Sequence, residues 1–112
     1  MKEIKAIIRP AKLPALREKL RSLPRFPGMT ISKVEGCSAP SVHSPSNLKE
    51  ELTDYTPKIR IEIVAPDEVC DSIVDTIVHN AQIGQIGDGL VWVTDIDRAV
   101  FLYKTVPGAP ER

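Results

Sequence analysis

The sequence has little cysteine, no net charge and no long apolar run, and each shortage excludes a class of protein. Cys37 and Cys70 are the only cysteines in 112 residues. With no leader of basic start, apolar middle and small-residue cleavage site, this reads as a cytoplasmic protein with reduced thiols. Fifteen Lys and Arg balance fifteen Asp and Glu, whereas a dedicated nucleic-acid binder carries a basic stripe that displaces counterions from phosphates. No nucleic acid is expected as a partner. The apolar stretches fall far short of the roughly 20 residues that cross a bilayer, so direct membrane insertion is not expected either. A chain this short buries about two-thirds of the surface its unfolded form exposes, enough for one core and not for two.

What is present is a regular alternation of periods. Lys5 to Arg9 alternates Ile4, Ala6 and Ile8 against Lys5, Ile7 and Arg9, a first strand that Pro10 stops. Leu13, Leu16, Leu20 and Leu23 recur at spacings of three and four, an amphipathic helix with Pro14 in its first turn. Pro24, Pro27 and Gly28 end it, and Met29 to Val34 predicts a second strand. From Cys37 to Thr56 the apolar period dissolves into a long loop, with a helical turn expected at Leu48 to Leu52; loops of this length are usually functional or mobile. Lys58 to Val64 alternates strictly, with Ile59, Ile61 and Ile63 on one face. Pro66, Asp67 and Glu68 open a second helix whose apolar face is Val69, Cys70, Ile73, Val74, Ile77 and Ala81. The turn from Gly84 to Gly89 leads into a fourth strand at Leu90 to Thr94, and Val100 with Leu102 suggests a fifth.

Two βαβ halves joined by a loop predict an α+β ferredoxin-like sandwich (βαββαβ), an antiparallel sheet with both helices on one face. The expected domain is residues 1–104, with 105–112 a C-terminal tail. The uncovered sheet face is expected to carry Ile7, Val64, Val91 and Val93, apolar area that favours an oligomer. The glycines of the Gly84 to Gly89 turn permit two readings, a simple tight turn or a nest of backbone N–H groups aimed at an anion.

Several segments together are similar to the PII signal-transduction proteins, the nitrogen regulatory protein P-II family. They are Ala6-Ile7-Ile8-Arg9-Pro10 with Lys12-Leu13, Gly28-Met29-Thr30, Pro57 to Val64, Asp75-Thr76-Ile77, and Ala81-Gln82 followed by Gly84-Gln85-Ile86-Gly87-Asp88-Gly89. The resemblance covers nearly the whole chain. It implies a cytoplasmic homotrimer that regulates nitrogen and carbon metabolism, binds ATP or ADP in clefts between subunits, and grips an enzyme or transporter through the loop 37–56. It implies a regulator and not an enzyme, and no nucleophile paired with a base is evident in the sequence.

Carried onto this sequence, the resemblance assigns nucleotide contacts to Gly36, Glu62, Val64, Gly84, Gly87, Asp88, Gly89, Leu90, Phe101 and Tyr103, and an effector-acid contact to Lys58. It also exposes losses. Leu90 stands where the family has Lys, Phe101 and Tyr103 where it has Arg, and Ser38-Ala39-Pro40 where it has Gly-Arg-Gln. Each lost charge-assisted contact is worth about 1.5–3 kcal/mol, so weakened ATP and 2-oxoglutarate sensing is expected, with ADP, ATP or AMP as the ligands to test. Cys37, His43, Leu48, Glu51 and Tyr55 are the candidate partner contacts in the loop, Glu51 replacing the family's modified Tyr.

A second reading comes from the resemblance of Phe26-Pro27-Gly28-Met29-Thr30 to a branch associated with heavy-metal efflux. On that reading the chain is a metal-binding accessory protein for a membrane transporter, with Cys37 and His43 as ligands. Cys70 reads as a small core residue and His79 as a helix C-terminal cation instead.

Overall fold

Ile4, Ala6 and Ile8 lie on one side of the first strand and Ile59, Ile61 and Ile63 on one side of the third, and all six are buried. That shared apolar surface organises the rest of the chain. The computed structural model describes residues 1–37 and 55–110. Four strands, β1 (Lys2–Ile8), β2 (Thr30–Cys37), β3 (Tyr55–Ala65) and β4 (Gly89–Asp95), form one sheet in the order β2-β3-β1-β4, with every neighbouring pair antiparallel. Two helices, α1 (Leu13–Arg21) and α2 (Asp67–Ala81), connect them. This is the ferredoxin-like α+β arrangement that the periodicity predicts.

Leu16 and Leu20 of α1, with Val69, Cys70, Ile73, Ile77 and Ala81 of α2, close the core over the isoleucines of β1 and β3. Their spacings of three and four put each set on one helical stripe, which is why both helices settle on the same sheet face. Asp67 and Glu68 occupy the first turn of α2, where carboxylates oppose the positive end of the helix dipole, and Asp67 also pairs with the N-terminal amine at 2.9 Å. Among the described residues no helix is long and apolar enough to cross a membrane.

The structure corrects three expectations. Cys37, Tyr55 and Thr56 are strand residues, because Gly36 pairs with Thr56 and Cys37 with Tyr55; a ladder of backbone hydrogen bonds continues without apolar side chains. The helical turn expected at Leu48 to Leu52 lies outside the described residues. There is no fifth strand among the described residues: Leu102–Thr105 form a turn of 3-10 helix. There Lys104 Nζ lies 5.4 Å from the centroid of the Phe101 ring and 5.8 Å from that of Tyr103.

The third correction concerns faces. Val91 pairs with Ala6 and Val93 with Ile4, and directly paired residues project to the same side of a sheet. Both valines therefore share the helix-covered side, and Val91 packs against the core. The uncovered face carries Leu90 and Trp92 instead, beside Ile7 and Lys5 of β1. Val64 lies on it as expected, next to Glu3. The face is mixed in character, since Glu3 pairs with Lys5 at 3.4 Å and Arg60 with Glu62 at 3.2 Å.

Candidate functional site

The β1–β4 ladder ends at Ile8 opposite Gly89. One step further, Arg9 meets Asp88, and the two side chains form an ion pair. Arg9 Nη2 also donates to the Ile86 carbonyl at 3.3 Å. The other Asp88 oxygen, Oδ2, accepts from the backbone N–H groups of Ile83, Gly84 and Gln85 at 3.0, 2.8 and 3.3 Å. The segment from Ile83 to Asp88 is thus wound around its own carboxylate. Three of its N–H groups point at Asp88, among them that of Gly84, one of the glycines of the candidate anion nest.

Lys58 braces the turn from the other side. Its Nζ donates to the Gly87 carbonyl at 2.7 Å, and the residue is only 8% exposed although it lies on the sheet face that no helix covers. Its stem passes Gly36, where an added Cβ would stand 3.1 Å from Lys58 Cγ. Gly87 has a φ of 100°, a left-handed conformation that glycine adopts without strain. One end of the sheet therefore gathers Gly36, Lys58, Gly84, Gly87, Asp88 and Gly89, with Leu90 just beyond.

Glu62 and Val64 lie further along β3 on the uncovered face. Phe101 and Tyr103 lie elsewhere. They border an open groove of about 1200 Å³ together with Met29 and Pro66. Pro66 follows the far end of β3, eight residues beyond Lys58, and Leu13 at the start of α1 lines the same groove. No residue of the glycine turn is among those that line this groove with the two aromatic residues.

Of the loop candidates, Tyr55 is 70% exposed and sits opposite Cys37 at the base, while His43, Leu48 and Glu51 lie outside the described residues. Nothing among the described residues supports the metal-accessory reading, since no group of three or more His, Cys, Asp or Glu gathers there. Burial pushes the Cys70 thiol up from its ordinary value, which suits a core residue.

Sequence reasoning missed Arg9 as a member of this site. The signal that finds it is the strand register: once β1 and β4 pair antiparallel from Ile8 to Gly89, the residue after one meets the residue before the other. The Asp88 carboxyl is held below its ordinary value first by the Ile83 N–H, then by those of Gly84 and Gln85 and by Arg9. A depressed folded value gives stabilisation that is complete above the unfolded carboxylate value and disappears as pH falls through the folded one. Thermal denaturation between pH 7 and pH 2 should show Asp88→Asn melting below the parent at neutral pH, with the gap closing below about pH 4. Melting curves that stay parallel throughout would remove this role from Asp88.

A family model described as Nitrogen regulatory protein P-II matches residues 1–105. Nitrogen regulatory protein P-II 1 of Escherichia coli (strain K12) is 43% identical over 101 residues, which is 89% of this chain and 89% of that protein. Nitrogen regulatory protein P-II of Klebsiella oxytoca is 42% identical, and that of Haemophilus influenzae 39%, both over 101 residues and 89% of each chain.

Proposed function

Because this chain belongs to the nitrogen regulatory protein P-II family, we propose that it is a homotrimeric cytoplasmic signalling protein without enzymatic activity, whose domain is residues 1–104 and whose tail is 105–112. An adenine nucleotide-like effector binds between subunits, and the loop 37–56 controls a target enzyme or transporter. The observation that carries this reading is the division of the candidate cleft. Phe101 and Tyr103 border a groove that no residue of the glycine turn lines, so in this reading a single ligand touches both when one subunit supplies the turn and another the aromatics. The uncovered sheet face, with Leu90 59% exposed and Trp92 beside it, supplies apolar area for that assembly.

Gly36, Lys58, Gly87, Asp88, Gly89 and Leu90 form one wall of the cleft in this reading, Glu62 and Val64 extend it, and Phe101 and Tyr103 of a neighbouring subunit form the other. A ligand that favours one loop conformation shifts the affinity for the target by its own preference between conformations. Two features weaken triphosphate and 2-oxoglutarate sensing. The family's cations are missing at positions 90, 101 and 103, and Lys58 is engaged by the Gly87 carbonyl. Cys37 and Tyr55 stand at the loop base, with His43, Leu48 and Glu51 available to the target.

Light scattering at micromolar concentration should give three times the 12.4 kDa chain mass, and a monomer mass would overturn the assembly. Calorimetric titration with ADP, ATP and AMP in the presence of magnesium should show AMP and ADP binding at least as tightly as ATP. An ATP dissociation constant in the low micromolar range would refute the weakened sensing.

A further inference from the structure

The rings at positions 101 and 103, where the family has Arg, carry a cation of their own. Leu102–Thr105 form a 3-10 turn and not the strand that the apolar spacing suggests. The Lys104 N–H closes it by donating to the Phe101 carbonyl at 3.0 Å, and the Thr105 hydroxyl donates to the Leu102 carbonyl at 2.7 Å. A strand would send Phe101 and Tyr103 to one side and Lys104 to the other. In a 3-10 turn, side chains three residues apart eclipse, and Lys104 follows Phe101 by three. Its Nζ accordingly lies 5.4 Å from the Phe101 centroid and 5.8 Å from that of Tyr103, with the two ring centroids 6.3 Å apart.

A ring face attracts an ammonium without being a hydrogen-bond acceptor of the ordinary kind, so the N–H groups of Lys104 stay able to donate to an anion. Among the described residues Lys104 has no ion-pair partner, and it is exposed. Arg17, Arg21 and Arg25 line the same groove, but among the described residues Lys104 is the cation that lies over the two rings. An ammonium is a compact point charge suited to one phosphate group, whereas a pair of arginines offers two forked guanidinium groups. The exchange of two Arg for two rings and one Lys therefore lowers the number of phosphates this turn can hold without abolishing phosphate binding.

We infer that Lys104 is a phosphate-binding residue and that the ligand it selects is a nucleoside monophosphate. The inference rests on the nucleotide reading above, in which Phe101 and Tyr103 belong to the cleft. The rings hold the ammonium at the ligand, one phosphate meets it, and the further phosphates of a triphosphate gain nothing from it. Calorimetric titration of the full-length protein with AMP and with adenosine isolates the contribution of the phosphate. The parent should bind AMP about 10-fold more tightly than adenosine. Lys104→Met, which keeps an unbranched stem, should bring the two ligands to within about twofold of each other. Lys104→Arg should retain most of the preference, because a guanidinium also stacks on aromatic faces. Arg17→Gln should leave it intact. Both positions are exposed, so the variants should fold. Equal binding of AMP and adenosine by the parent, an unchanged preference in Lys104→Met, or its loss in Arg17→Gln would each overturn the assignment while leaving the nucleotide reading standing. ATP binding to the parent more tightly than AMP would overturn the selection of a monophosphate. Failure of all three ligands to bind would refute the nucleotide reading and this assignment with it.

Discussion

Replacing Gly89 with alanine is expected to lower stability by at least about 3 kcal/mol, which for a domain of this size is a fall in melting temperature of about 12 °C or more. Gly89 opens β4 with a φ of 103°. A Cβ built there would stand 1.7 Å from the carbonyl oxygen of Ile7 and 2.8 Å from its carbonyl carbon. These are backbone atoms of β1, which is held on both sides by β3 and β4, so no side-chain rotation relieves the overlap. Either the β1–β4 ladder opens at this end or the Asp88 turn moves away from Arg9. Gly84→Ala is the control. Gly84 also has a positive φ, 81°, but a Cβ there meets nothing within 4 Å, so its loss should be the left-handed conformational penalty of about 1–2 kcal/mol. Calorimetric melting of both variants separates the two effects. Equal losses would mean that the close approach to Ile7 does not set the demand for glycine at position 89.

The second large effect is a gain. Leu90→Lys, Phe101→Arg and Tyr103→Arg together should tighten ATP binding by at least about 100-fold, since each restored charge-assisted contact is worth about 1.5–3 kcal/mol and neighbouring contacts add incompletely. None of the three parent side chains is buried, so the fold should tolerate the exchange. Leu90 lies on the uncovered face opposite Ile7, and the two aromatic residues border a groove that no residue of the glycine turn lines. In the assembly proposed above, both sets meet across a subunit boundary. The single variants should each give part of the gain. Titration of the triple variant with ATP checks this, alongside light scattering to confirm an unchanged mass. Unaltered ATP affinity in a protein of parental mass would show that the missing cations are not what distinguishes its cleft.

The isoleucines of β3 and the apolar stripe of α2 were readable because each alternates with polar residues at one clear period, two in the strand and three to four in the helix. Strand β4 offered no such contrast. Leu90, Val91, Trp92 and Val93 are consecutive apolar residues, so period two does not say which pair faces the helices; the register with Ile4 and Ala6 decides it. Val100 and Leu102 had the spacing of a strand but too few residues to commit the chain, and the cation–π contacts of Lys104 accompany a 3-10 turn instead. At the site, the glycines announced a turn, but the destination of its N–H groups was hidden. Their acceptor is a carboxylate inside the turn itself, and the arginine that fixes this carboxylate is 79 positions away in the chain. Lys58 misled in the same way, since an alternating strand marks it as a solvated charge and only the fold brings it to Gly87.

The paired base formed by Gly36 with Thr56 and Cys37 with Tyr55 has a consequence for how such a protein diversifies. Residues 38–54 connect Cys37 of one strand to Tyr55 of its neighbour, so the two ends of the connection are fixed at strand spacing whatever lies between. By the loop-closure relation, doubling the number of residues between two fixed ends costs only about 0.6 kcal/mol. Sequence in this segment is therefore free to drift, lengthen or be exchanged with little penalty to the core. At the same end of the sheet, Gly89 and Asp88 are locked to β1 by backbone contact and ion pair. New partner specificities can accumulate in the exchangeable segment over generations while the neighbouring turn stays bound to the fold.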